Sequence, residues 1–219
     1  EIYTLSLHDA LPIFDWCFAY SGELPNFHFK AWLNCQLAGN DHMRSRDDGF
    51  GGQEYYLDSE TDKRISEWYR GKAFIYDQSI IEGEEMESLV DTVKKVVSRR
   101  NVKLVCIDNL MTAMDMVEDQ NNLYLAQSNF VRQLKDIAMT YDVAIILVAH
   151  PRKAGKDDKD NDFDNDIVSG SSNITDRVDI VLNYSRAKEG TDYDSLLQIG
   201  KNRLSGTLKL GKNGIPLNR

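Results

Sequence analysis

The run Lys103-Leu104-Val105-Cys106-Ile107-Asp108-Asn109 constrains this chain more than any other stretch. It is short, apolar and rich in β-branched residues, and it stops abruptly at a carboxylate. A continuous apolar run of this kind is the pattern of a strand buried on both faces, as in parallel α/β sheets. The carboxyl ends of such strands line the ligand crevice, so an Asp placed there faces a binding site. Two further runs follow the same rule. Ala144-Ile145-Ile146-Leu147-Val148-Ala149 ends in His150, and Trp16-Cys17-Phe18-Ala19-Tyr20 runs into Ser21-Gly22-Glu23. Each alone reads as a strand that ends at a polar turn. Three that deliver Glu23, Asp108 and His150 at one end form a candidate catalytic face.

Helical patterns separate these runs. Pro25 suits the first position of a helix, and Phe29, Trp32, Leu33, Leu37 and Ala38 recur at helical spacing until Gly39 stops them. Residues 40–52 are polar and Gly-rich and read as a loop. Glu60 to Arg70 reads as an exposed helix, and Ala73 to Tyr76 as a short strand. Met86 to Arg99 carries Leu89, Val93, Val96 and Val97 on one face. Leu123 to Tyr141 is the longest helix expected, with Leu123, Ala126, Phe130, Leu134, Ile137 and Ala138 as its buried stripe. Strands alternating with helices signal a mostly parallel sheet covered by helices. Beyond His150 the pattern changes. Pro151 to Asp166 is a mixed-charge loop, Ile180 to Tyr184 and Leu196 to Lys201 read as late strands, and Gly206 to Asn218 as a terminal hairpin.

Composition narrows the function classes. The net charge of −9 excludes a uniformly basic nucleic-acid coat while leaving local basic loops able to hold phosphate. Cys17, Cys35 and Cys106 lack metal-ligand spacing, and two of them fall in expected buried strands. That points to reduced thiols and a cytoplasmic protein. No apolar run is long enough to span a membrane. At 219 residues the chain fits one domain with a self-sufficient core.

Residues 1–13, EIYTLSLHDALPI, read as a translated sequencing adapter. A signal peptide is a poor reading, because a basic n-region and a long apolar core are lacking. The expected organisation is therefore a non-native segment at 1–13 followed by one partial domain over 14–219.

Five segments in order resemble one family: Tyr20-Ser21-Gly22-Glu23, Cys106-Ile107-Asp108-Asn109-Leu110, Val148-Ala149-His150-Pro151-Arg152-Lys153, Gly170-Ser171-Ser172 through Arg186, and Lys201-Asn202-Arg203-Leu204-Ser205-Gly206. Together they resemble the RecA-like motor domain of ring-forming replicative DNA helicases. The closest likeness is to the phage primase-helicase and Twinkle type of the DnaB-like superfamily. The resemblance implies a P-loop NTPase fold with a C-terminal β-hairpin, ATP and Mg²⁺ as cofactors, and a homo-oligomeric ring, a hexamer in the family. It also implies single-stranded DNA threaded 5′ to 3′ as duplex is unwound, and replisome proteins as further partners.

It implies roles as well. Glu23 would be the general base that orients water at the γ-phosphate, and Asp108 the carboxylate that holds Mg²⁺. His150 would sense the γ-phosphate. Arg203, with Lys201, would act on a neighbouring subunit's nucleotide, and Arg186 would lie by the adenine. Arg152, Lys153 and Lys156 would meet DNA phosphates, although the aspartates from Asp157 to Asp166 make that loop net acidic. The departure is the phosphate-cradling Gly-x-x-x-x-Gly-Lys-Ser/Thr, which does not occur in the 219 residues. In the family it precedes the Glu23 strand. A truncated motor is the expectation, one that by itself binds ATP poorly and hydrolyses little. Other RecA-like ATPases, of recombinase or clock type, and an inactive RecA-like scaffold are the alternatives.

Overall fold

Strand β1 (Cys17–Ser21) is buried at all five positions, as its unbroken apolar run requires. In the computed structural model, which describes residues 16–77, 87–114, 123–150, 172–187 and 190–218, it lies at the centre of a parallel four-stranded sheet. Residues 1–13 fall outside the described residues. The sheet order is β4-β1-β5-β6, with β4 (Ala73–Ile75), β5 (Leu104–Asp108) and β6 (Ala144–Leu147). All three pairings are parallel, and Ser21 lies in register with Asp108. Both strands therefore deliver their polar ends to one edge, as the sequence predicts.

The residues group into two compact units, one holding residues 2–118 and 136–148, the other 119–135 and 149–219. In the first, α1 (Asn26–Ala38) begins after Pro25 and ends at Gly39, whose φ of 73° favours glycine. Helix α2 (Ser59–Trp68) is capped by the Asp58 side chain on the Thr61 N–H. Leu33 and Leu37 of α1, Ile65 of α2 and Tyr69 pack against Cys17, Leu104 and Cys106, covering one face of the sheet. Helix α3 (Leu89–Arg100) buries Leu89, Val93 and Val97, and Ser88 caps it on the Asp91 N–H. A short helix, α4 (Leu110–Met114), leaves β5 directly.

Two expectations are revised here. Residues 40–52 are not a loop alone: a 3₁₀ turn at Asn40–His42 leads into the antiparallel strands β2 (Arg44–Asp47) and β3 (Gln53–Tyr56). Their polar residues are exposed, so no apolar alternation announces them. Trp32, expected in the buried stripe of α1, is 58% exposed. The helix buries Asn34 in its stead, and the Asn34 amide donates to Asp62 at 2.6 Å and Ser66 at 3.1 Å. A buried polar group is tolerable only with such partners.

The second unit takes the first part of α5 (Leu123–Tyr141), which buries Phe130, Val131 and Leu134 there. It adds α6 (Ser172–Arg177) and an antiparallel sheet of β7 (Ile180–Arg186), β8 (Ser195–Asn202) and β9 (Ile215–Leu217) in that order. Residues 209–217 fold back on β8 through a bridge at Lys209 and the β9 ladder. The C-terminal hairpin is thus present, with β8 as its partner strand. Among the described residues no helix is long and apolar enough to cross a membrane.

Candidate active-site edge

At the carboxyl edge of the parallel sheet, β1 ends in Ser21-Gly22-Glu23 and β5 in Asp108-Asn109. The two ends are tied by the backbone: the Gly22 N–H donates to the Asp108 carbonyl at 2.7 Å. The residue between strand and carboxylate is a glycine packed too closely for a side chain to enter without a shift. A Cβ on Gly22 would stand 2.0 Å from the Thr112 hydroxyl oxygen and 2.8 Å from that of Tyr20, distances that real contacts do not reach.

Asn109 is the hinge of this edge. It is 1% exposed, and its side-chain amide donates to Glu23 Oε1 at 2.5 Å. Its Oδ1 accepts the Thr112 N–H at 3.2 Å, and the Thr112 hydroxyl donates back to the Asn109 carbonyl at 3.1 Å. Asn109 therefore caps α4 and orients the Glu23 carboxylate with the same side chain. A charge-assisted bond of this type fixes the orientation of the Glu23 carboxylate. The sequence flags Asn109 only as a turn partner of Asp108. The Asn-x-x-Thr spacing ahead of a short apolar helix marks the cap, but the bond to Glu23 spans 86 residues, and no local pattern reveals it.

This edge offers hard oxygen donors, which suit Mg²⁺. Among the described residues no group of three or more His, Cys, Asp or Glu side chains forms a cage. A cation held by one or two carboxylates together with nucleotide phosphates and waters asks for no such cage. The phosphate cradle itself is a different matter. Gly206-Thr-Leu-Lys-Leu-Gly211-Lys212 repeats its spacing, but Asn213 stands where a hydroxyl is required. That stretch folds as a bridge to β8 and a 3₁₀ turn at Gly211–Asn213, and opens no α-helix.

The remaining predicted residues lie in the other unit. His150 follows β6, is exposed, and is grouped there. Lys201 closes towards the end of β8 and Arg203 follows in the turn. Partial burial, and then the Arg203 charge, lower the Lys201 pKa from lysine's ordinary value. Arg186 pairs with Ser195 whereas Lys201 pairs with Val181, so Arg186 stands at the opposite end of that ladder and is not brought together with the cation pair. Arg152, Lys153 and Lys156 lie outside the described residues.

Comparison with known proteins agrees with the fold. The family model described as "AAA domain" matches residues 21–156, a span that holds Glu23, Asp108 and His150. No curated protein matches the chain at a significant level. Among solved structures, one of a DnaB-like replicative helicase and its interactions with primase superposes with a TM-score of 0.63 at 16% identity, over 94% of this chain and 49% of that one. An isolated ATPase domain gives 0.62 at 14% identity, covering 98% and 76%. A KaiC-like protein from Pyrococcus horikoshii gives 0.52 at 16%, covering 94% and 76%. This chain thus spans about half the length of the helicase. At these identities the structural likeness speaks for fold, and the fold is RecA-like. By its family match and its sheet, the chain belongs to the AAA-domain family of P-loop ATPase folds.

Proposed function

We propose that this chain is the hydrolytic part of a ring-forming, ATP-dependent DNA helicase motor. The observation that carries the reading is the pairing at the sheet edge, where buried Asn109, which follows Asp108 at the end of β5, binds the Glu23 carboxylate. Glu23 is the general base: a carboxylate of fixed orientation takes the proton of the water that attacks the γ-phosphate. Asp108 would hold Mg²⁺, which would supply positive charge against the nucleotide phosphates. The phosphate-binding loop that would complete the site is not among these 219 residues. In our reading it comes from an upstream part of a longer protein, so the chain alone binds ATP weakly.

Lys201 and Arg203 act in trans on the nucleotide of the next subunit, Arg186 lies by the adenine, and His150 senses the γ-phosphate. Arg152, Lys153 and Lys156 meet the phosphates of single-stranded DNA. The ring is a hexamer that moves 5′ to 3′ in the cytoplasm, with replisome proteins as neighbours. A second reading, a clock-type RecA-like ATPase, is favoured by the KaiC-like likeness. The longer protein, given ATP and Mg²⁺, separates them: a helicase unwinds a duplex bearing a 5′ single-stranded tail. ATP hydrolysis without unwinding, indifferent to added single strand, would overturn the helicase reading in favour of the second.

A further inference from the structure

Helix α6 is short, and the last four carbonyls of any α-helix have no partner within it. Two of those carbonyls in α6 are met by the basic pair. Lys201 Nζ donates to the Thr175 carbonyl at 2.5 Å, and Arg203 Nη2 to the Asp176 carbonyl at 2.6 Å. The helix end carries partial negative charge, so the two cations are attracted as well as hydrogen-bonded. The Arg203 backbone is fixed to the same turn, its N–H donating to the Asp179 carbonyl at 2.8 Å. Asp179 in turn has its carboxylate bound by Lys135 of α5, and Arg177 Nε donates to Ser128 of α5 at 2.8 Å. All these residues belong to one compact unit. Both of these contacts from α5 fall on the turn that holds the two cations.

We propose that the C-terminal turn of α6 is a clamp that holds Lys201 and Arg203 together in one fixed arrangement, and that Lys135 is the positioning residue that sets the clamp through Asp179. This rests on the reading of Lys201 and Arg203 as groups acting on a neighbouring nucleotide. Because one short helix carries both carbonyls, a movement of α6 shifts both cations at once.

The test has two parts. In the 219-residue chain, without nucleotide, proton exchange at the Lys201 ammonium and the Arg203 guanidinium is followed by nitrogen-detected NMR. The clamp predicts slow exchange in the wild type. Lys135→Met should speed it on the order of tenfold, the size of one lost charge-assisted hydrogen bond, and Lys135→Arg should restore it. Should Lys135→Met fail to fold, Asp179→Asn removes the ion pair and keeps the carbonyl, with the same expectation. Free exchange in the wild type, or unmoved Lys201 and Arg203 signals in a folded variant, would overturn the clamp. In the ATP-hydrolysing longer protein, Lys135→Met should lower kcat and leave KM unchanged, and add nothing in an Arg203→Ala background. Full additivity there would overturn positioning through Arg203. If Arg203→Ala itself leaves kcat unchanged, the trans-acting reading fails, and the NMR result judges the clamp separately.

Discussion

Replacing Asn109 by Asp changes almost no volume but turns the donor that faces Glu23 into a second carboxylate. In the wild type the amide donates to Glu23 Oε1 at 2.5 Å from a residue 1% exposed. In Asn109→Asp the two acids can share a proton at low pH, whereas both ionised would repel. Their folded pKa values are therefore raised above the unfolded values of roughly 4. The sign follows: the folded state keeps protons that the unfolded state has released, so stability falls as pH rises through the raised values. A hydrogen bond to a charged group is worth about 1.5–3 kcal/mol. Glu23 is exposed, which puts the loss near the lower end, about 2 kcal/mol at pH 7. With a urea slope of about 2 kcal/mol/M, the midpoint should drop by about 1 M at pH 7 and much less at pH 4. The double variant Glu23→Gln/Asn109→Asp reverses donor and acceptor and should recover most of the loss. Urea unfolding followed by circular dichroism at both pH values reads all of this. An equal loss at pH 4 and pH 7, with no recovery in the double variant, would refute the contact.

Three further outcomes follow from packing and burial. Gly22→Ala puts a methyl 2.0 Å from the Thr112 hydroxyl oxygen, so overpacking should cost about 1–3 kcal/mol, read as a lower urea midpoint. Burial pushes the Cys17 thiol up to about 12 and the Cys106 thiol up to about 11, from an ordinary 9.0. Both should resist a disulfide reagent at pH 8 in the native chain and react once urea is added. The raised folded values also mean that the unfolded chain loses these protons first. Stability should then fall as pH climbs from 9.0 towards 11, and a Cys17→Ala/Cys106→Ala variant should show a flatter profile by thermal melts.

What the sequence reveals here depends on how local the cause is. Strands β1 and β5 lie between parallel neighbours and must be apolar throughout, so the runs ending in Glu23 and Asp108 stand out unaided; β6, at the sheet edge, is only half-buried but equally apolar. Helix α5 is long and periodic, and its predicted span, Leu123–Tyr141, coincides with the observed one. The β2–β3 hairpin buries neither face, which leaves nothing for a hydrophobic pattern to register. Asn34 is buried through partners 28 and 32 residues away, and periodicity takes it for a surface position. The same holds at the candidate site. Asp108 is legible because a carboxylate ends an apolar run, while the role of Asn109 depends on a tertiary contact with Glu23. The Lys201 and Arg203 contacts to α6 are likewise tertiary and invisible to spacing.

The central claim is that Glu23 activates water at this edge while Asp108 serves the metal. It is tested most directly by ATP hydrolysis in the longer protein that joins this chain to a phosphate-binding loop, comparing wild type with Glu23→Gln. Gln keeps the length and the neutral hydrogen bonding but cannot take a proton. The account predicts a fall in kcat of roughly 10²–10⁴-fold, with nucleotide affinity in the presence of Mg²⁺ nearly unchanged. An unchanged kcat in Glu23→Gln, with nucleotide bound as before, would contradict it.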